Sequence, residues 1–395
     1  MTALNKLRIL ELSGGVAGEY CGKLLADFGA EVIKIEDPQL GDYIRWQEPR
    51  LDESSAVFHS LNRNKKSVSL NLKAAEGKEI FNEMAMSADV VIESFRPGVM
   101  KRLGLGYEKL KEFNPELIYC SLTGFGQYGP HAESAGHDLN FLAYSGLLSL
   151  FKTWNERPSI PAMQIADLGG GALPAAIGIL LALLEREKTG SGQFVDIAML
   201  DGLISLMQTT LPDYLASGKI SGKEELPLSG GKACYEVYET RDGQYLAVAA
   251  LEKKFWEVFC NAIGREDLIE RHHAPVKVQN QMKAEIQSVI VKRPLSDWME
   301  SFKGMDACVS PVSTIDSIVE NPQVQAREMI QTFFGIHHIG VPIKLSKTPG
   351  GIRSKAPQLG QHTDEYLKEI GLSEKEIVQL RKKKVIAGEK RTKEE

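Results

Sequence analysis

The chain has 395 residues, 43% hydrophobic and 25% charged, with a formal net charge of −5 and a pI near 6.0. That is the balance of a globular protein with more than one core, and it supplies no basic field to recruit nucleic acid or an anionic lipid surface. An anionic ligand must be held by a local cluster of positive charge. The five cysteines (Cys21, Cys120, Cys234, Cys260 and Cys308) are scattered and odd in number. No two have metal-site spacing, which predicts free thiols, a reducing cytoplasmic setting and no bound metal.

The opening "MTALNKLRILELSGG" lacks the basic, apolar and small-residue order of a signal peptide. Leu7 to Leu12 reads as a short strand, "EYCGKLLADFG" as a helix and "AEVIKIE" as a second buried strand, which together make a βαβ unit. The alternation continues through "KSVSLNL", "AAEGKEIFNEMAMS", "DVVIESF", "GYEKLKEFN" and "LIYCSLTGFG", so the first half is α/β and doubly wound. From Asp167 a long helix runs to about Arg186. Its apolar part, "GGGALPAAIGILLALL", reads as too short to cross a bilayer and as buried, so no membrane partner is expected. "FVDIAM" is another strand, and "DGLISLMQTTLPDYLASG" another helix.

The Gly- and Lys-rich stretch that follows marks a linker, placed at 206–225. "CYEVYETRDGQYLAVAAL" alternates around Arg-Asp-Gly as a β-hairpin does, and helical patterns follow, giving a smaller α+β domain over 226–325. The chain then ends with a strand at "VPIKL", a proline-rich loop and a helix, expected to return to the first domain. The large domain is thus 1–205 with 326–395, and the charged tail "LRKKKVIAGEKRTKEE" is expected to fray.

Several residues carry chemistry, and each has a plainer reading beside it. Glu36 closes the second strand as a dinucleotide-site acid would, but Ser13 stands where the first glycine of that fingerprint belongs, ahead of Gly15 and Gly18. Nicotinamide chemistry is demoted; a nucleotide lying at the sheet edge is not. Arg63, Lys65, Lys66 and Lys73 beside a strand, and Arg96 and Arg102 about a strand-to-helix turn, are either phosphate ligands or a solvated surface. His137 and Asp138 in "AGHDLNF" either move a proton or tie down a loop. Asp167 precedes three glycines and a helix, as an N-cap or as a carboxylate beside a backbone that a ligand can approach. Glu252 ends an apolar strand, as a site residue or as a helix cap. No nucleophile elbow, His-Glu-x-x-His or Walker loop is present.

"LLADFGAEVIKIE", "SFRPGVMKRLGLGYEKL", "LIYCSLTGFGQYGPHAESAGHDLNFLAYSG", "ADLGGG", "ALLEREKTGSGQFVDIAMLDG", "YEVYETRDGQYLAVAALEKKFW" and "MDACVSPV" together resemble the family III CoA transferases. This superfamily includes carnitine and formyl-CoA transferases, and the similarity is greatest to its α-methylacyl-CoA racemase branch. The resemblance implies a Rossmann-like large domain built from both chain ends, a small domain from the middle, and two chains interlocked as a homodimer. Each site would lie between one large domain and the partner's small domain. Coenzyme A, part of the substrate rather than a separate cofactor, would lie on Gly15, Val16, Ala17, Leu70, Lys73, Ser94, Phe95, Arg102 and Asp138.

Many relatives carry Arg where this chain has Asp37, so Arg102 and the Lys65/Lys66 pair would have to substitute. The transferase branch would use Asp167 as a nucleophile. The racemase branch would use it with His137 as proton carriers on a 2-methylacyl-CoA, with Glu252 orienting the imidazole and Asp138 beside them. Transferases commonly have an aromatic residue at the position of His137, and a longer glycine loop where this chain has "SGGK", which favours the racemase.

Overall fold

The computed structural model describes residues 2–151, 157–219 and 226–387. The chain divides into two compact units, Met1–Leu206 with Gln325–Glu395, and Met207–Val324. In the larger unit six parallel strands form one sheet: β1 (Arg8–Leu12), β2 (Glu31–Glu36), β5 (Lys66–Ser69), β6 (Val90–Glu93), β7 (Ile118–Thr123) and β8 (Phe194–Ala198). A two-rung hairpin of β3 (Arg50–Leu51) and β4 (Ser54–Ser55) lies between the second and third of them in sequence. The spatial order is β5-β2-β1-β6-β7-β8, the doubly wound arrangement in which the chain reverses direction between β1 and β6.

Helices cover both faces, which is why the strands read as apolar runs rather than alternating ones. Ile9, Val32, Val90 and Ile118 face helices Val16–Asp27 and Leu173–Thr189. Leu10, Ile33, Val68 and Val91 face helix Ala75–Met86 and the C-terminal helices Thr363–Glu369 and Glu374–Lys382. The C-terminal segment therefore completes the larger unit.

In the smaller unit β9 (Tyr235–Glu239), β10 (Tyr245–Ala249) and β11 (Val309–Pro311) form an antiparallel sheet. Trp256, Phe259, Met282, Ile286 and Trp298 make its core against the helices.

Four expectations need correction. The tail does not fray at "VIA": Val385 and Ile386 are buried, and Val385 O accepts from Asn71 N at 2.8 Å. Burying two such side chains stabilises by about 2 kcal/mol each, enough to offset the cost of ordering so short a segment. "VPIKL" is not a strand. The pairing lies upstream, in β12 (Ile330–Phe333) and β13 (Ile336–Ile339), where Phe334 and Gly335 both take positive φ and turn the hairpin. The segment read as one helix from Asp201 is two, Met199–Ser205 and Leu211–Ser217; the second falls within the expected linker, whose residues 220–225 lie outside those described. The apolar helix is longer than expected and only half-buried. Helical backbone runs from Ala166 to Thr189, long and apolar enough to cross a membrane on length and composition alone. Ala175, Ala176, Ile179, Ala182 and Leu183 pack on the sheet, whereas Leu173, Ile177, Leu181 and Leu184 lie exposed at helical spacing.

A buried ionic cluster sits under the β1 turn. The Lys34 ammonium donates to Ser13 O at 2.8 Å and pairs with Glu19 at 2.9 Å, Asp42 at 2.8 Å and Glu11 at 3.4 Å. Lys65 pairs with Glu11 at 2.8 Å and donates to Glu19 O at 2.9 Å. Burial pushes the Glu19 carboxyl up to about 8, so it is protonated at neutral pH and hydrogen-bonds Asp42. Burial would also raise Asp42, but Lys34 and the Glu19 proton outweigh it and hold Asp42 at about 2. Two ammoniums then face two carboxylates, and the cluster is neutral.

This cluster makes stability depend on pH. Because the folded-state value of Glu19 stands above its ordinary 4.5, the stability it contributes is complete below that value and is lost as the pH rises to about 8. Glu19→Gln removes this slope. In urea titrations across pH 5 to 8 (approximate limits), the variant is expected to gain on the wild type steadily and then level off. A constant offset at every pH would show that Glu19 is ionised in the fold.

Candidate active site

The crevice expected at a reversal of strand order opens here at the carboxyl ends of β1 and β6. Ser13, Gly14 and Gly15 follow β1; Ser94 and Phe95 follow β6, and Ser94 Oγ donates to Gly14 O at 3.4 Å. Gly15, at φ +102°, turns the chain into helix Val16–Asp27. A Cβ on Gly18 would lie 2.2 Å from that of Ser13, so Gly18 keeps the close-packing role while Ser13 replaces the first glycine. Glu36 is internal: Arg45 takes both its oxygens at 2.7 and 2.8 Å, and Ser67 donates to it at 2.6 Å. No carboxylate is thereby left at that position for a nicotinamide ribose.

Two clefts meet at this edge. One, of about 520 Å³, has Gly15, Val16, Ala17, Ser94, His137 and Asp167 on its wall. The other, of about 550 Å³, is lined by Leu70, Lys73, Asp37 and Trp46 among others. Gly14, Tyr43 and Phe95 belong to both.

The His137 loop is wrapped around one ring. Cβ atoms on Gly124 and Gly136 would lie 2.1 and 2.6 Å from the Phe141 ring, so only glycine lets the two loops close over it. Phe125 meets Phe141 edge-on at 5.1 Å. His137 begins helix Asp138–Tyr144, and its N–H donates to Asn140 Oδ1 at 3.1 Å.

Asp138 fastens this loop to the next element. Its Oδ1 accepts from Ala166 N at 2.7 Å and Asp167 N at 3.0 Å, which pins the π-helical turn Ala166–Ala172 that carries Asp167. Burial and the neighbouring Asp138 carboxylate push Asp167 up to about 6, with His137 acting in the opposite direction. A carboxyl tuned to that value can both take and give a proton near neutrality.

Other expected residues stand elsewhere. Arg63 is not a phosphate ligand: it is wholly buried against Asp27, with contacts of 2.8 and 3.1 Å. Lys65 is spent on Glu11, and Lys66 lines a separate cleft with Lys355 and His362. Neither can stand in for an arginine at Asp37, whose carboxylate caps its own turn by accepting from Gln39 N and Leu40 N, both at 2.9 Å. Arg102 is exposed on helix Val99–Leu103 and lines neither cleft.

Gly170 and Gly171 serve packing rather than ligand approach, since Cβ atoms there would lie 2.7 Å from Met199 O and 3.0 Å from Met199 Cγ. Glu252 belongs to the smaller unit. It is exposed and starts helix Lys253–Ala262, with no side-chain cap bond.

Sequence reasoning missed Glu93 and Tyr43. Glu93 is buried beneath the Ser94–Phe95 wall, where it accepts from Phe95 N at 2.8 Å and bonds Ser121; burial pushes it up to about 7. An acidic residue at a strand end gave no sign of this.

Asp138→Asn keeps an acceptor for the two backbone amides and removes one negative charge beside Asp167. Asp167 is then easier to ionise, so its midpoint falls below the wild-type value of about 6. NMR of selectively ¹³C-labelled aspartate, assigned through Asp167→Asn, reads this shift. An unchanged midpoint would mean that burial alone raises Asp167.

Residues 4–363 match the family model described as CoA-transferase family III. The chain is 36% identical to the mouse protein named alpha-methylacyl-CoA racemase, with 98% of each chain covered. It is 33% identical to a Chloroflexus aurantiacus protein named succinyl-CoA--D-citramalate CoA-transferase, over 97% of this chain and 98% of that one. Among solved structures, a CAIB/BAIF family protein from Brucella suis superposes with a TM-score of 0.84 at 31% identity, covering 93% of this chain and 99% of that one. The chain therefore belongs to CoA-transferase family III.

Proposed function

We propose that the protein racemises 2-methylacyl-CoA thioesters by exchanging the proton on the carbon next to the thioester carbonyl. The observation that carries this reading is an imidazole and a raised carboxyl, His137 and Asp167, on one cleft wall. One group takes the α-proton and the electron pair moves onto the thioester oxygen as an enolate. The other returns a proton to the opposite face. Backbone N–H groups at Asp138 would hold the enolate oxygen.

The nucleotide would lie along Leu70, Lys73 and Phe95 in the adjoining cleft. Arg102 and Glu252 enter only by resemblance, the first for phosphate, the second as the partner subunit's residue that orients His137. An interlocked homodimer is part of the proposal. It is supported by the exposed stripe Leu173, Ile177, Leu181 and Leu184, a face that a second copy would cover. Free thiols favour a cytoplasmic enzyme.

A second reading has support, because a relative at 33% identity is named a CoA-transferase. There Asp167 would attack the thioester carbonyl, expel CoA as the thiolate and form an acyl anhydride. The thiolate would then attack the Asp167 carbonyl of the anhydride, releasing the donor acid as its carboxylate and leaving CoA on Asp167 as a thioester. The acceptor carboxylate would displace the thiolate to form a second anhydride, and the thiolate would take up the acceptor acyl group and free Asp167. The cleft wall favours the racemase: among the described residues Arg96 is its one arginine, it has no lysine, and Leu122, Phe125, Phe141 and Met199 are apolar. That suits an uncharged acyl group better than a dicarboxylate.

Incubating the enzyme with a 2-methylacyl-CoA in deuterated water, with no acceptor acid, is expected to label the α-carbon. His137→Ala is expected to lower the rate by roughly 10²- to 10⁴-fold. CoA passing to an added carboxylate, with no label at the α-carbon, would establish the transferase instead.

A further inference from the structure

Tyr43 is held in an unusual way. It opens the short turn Tyr43–Trp46, and the residues on either side of it are buried and anchored. Asp42 pairs with Lys34 at 2.8 Å and accepts from Ile44 N at 2.8 Å. Ile44 lies in a small apolar core with Phe58 and Leu61. Arg45 is clamped by Glu36 and stacks 3.8 Å over the Phe58 ring. Between these fixed points the Tyr43 side chain is 57% exposed. A large aromatic on so rigid a base, turned outward, contributes little to packing.

The ring points over the crevice. Its hydroxyl lies 3.2 Å from where a Cβ on Gly15 would be, against the start of helix Val16–Asp27, which has no side-chain cap. The hydroxyl makes no hydrogen bond among the described residues. Burial, then the carboxylates of Asp42, Glu19 and Asp167, push the phenol above its ordinary value, so it remains a donor throughout the neutral range.

The position of Tyr43 between the clefts defines its use. A thioester of coenzyme A is a nucleotide joined to its acyl group by a flexible arm containing amides. A molecule with its nucleotide by Leu70 and Lys73 and its acyl carbon by Asp167 must pass the residues common to both clefts, Gly14, Tyr43 and Phe95. Of these three, Tyr43 alone has a side-chain hydrogen-bond donor.

We propose that Tyr43 is a further substrate-contacting residue, whose hydroxyl donates a hydrogen bond to an amide carbonyl of the arm as it crosses between the clefts. This rests on the reading of the site as a CoA-thioester site. The contact exists equally in ground and transition states, so it sets affinity and the placing of the acyl end, not the chemical step.

Tyr43→Phe keeps the exposed ring and deletes only the hydroxyl, so the fold is not at stake. Calorimetry with free CoA is expected to show Kd raised about 5- to 10-fold in the variant, the effect of one hydrogen bond. ADP, which has no arm, is expected to bind both proteins alike. In the exchange assay KM rises by the same factor and kcat stays within about twofold.

Equal CoA affinity in wild type and variant overturns the assignment. An equal loss for ADP overturns it too, by placing the hydroxyl on the nucleotide, and so does a fall in kcat at constant KM. A wild type that binds no CoA sinks the thioester reading of the site, and the Tyr43 contact with it.

Discussion

Lys34 carries a full positive charge where almost no water reaches it, and the crevice is built around that fact. Its ammonium touches the turn after β1, the first helix through Glu19, and the Asp42 turn that presents Tyr43. An isolated charge there would cost several kcal/mol, so the site exists only because the carboxylates of Glu11 and Asp42 balance the charges of Lys34 and Lys65, with the Glu19 carboxyl hydrogen-bonded among them. Such a cluster stabilises weakly against an apolar alternative, but it permits few arrangements. Loops from four separate stretches of sequence are thereby brought to one geometry.

The second constraint is steric. Phe141 fills the space that side chains on Gly124 and Gly136 would need, which sets the path of the His137 loop. Asp138 then carries that path over to Asp167 through two backbone amides. The same carboxylate that positions Asp167 also repels its negative charge. One residue thus fixes the position of Asp167 and, together with burial, raises its proton affinity.

Much of the larger unit was legible in the sequence because a parallel sheet covered on both faces leaves a simple record. Runs such as "VVIE" and "IYCSLT" alternate with helical spacing, and their order implies the crossovers. Gly15, His137 and Asp167 were legible as candidates from their own surroundings, and the resemblance gave them roles. The state of the charges was not. Arg63 and Lys65 look like Lys73 in sequence, yet of these three only Lys73 reaches the crevice, because Arg63 and Lys65 pair with Asp27 and Glu11, 36 and 54 residues away in the chain. The β12–β13 hairpin was hidden because its turn is Phe-Gly rather than Asn-Gly, and Val385 and Ile386 because lysines surround them. Tyr43 had no signal at all, since its meaning lies in the two clefts that it joins.

In the proposed racemase, His137 and Asp167 act from opposite sides of one carbon. A single turnover of one enantiomer of a 2-methylacyl-CoA in deuterated water tests it most directly. Early in the reaction the inverted product should carry deuterium, while recovered starting enantiomer still carries hydrogen, because one group removes the proton and another supplies the solvent-derived one. Deuterium appearing at equal rates in both enantiomers would mean a single group serving both faces. No deuterium in either would mean that the thioester carbonyl, not the carbon beside it, is where this protein acts.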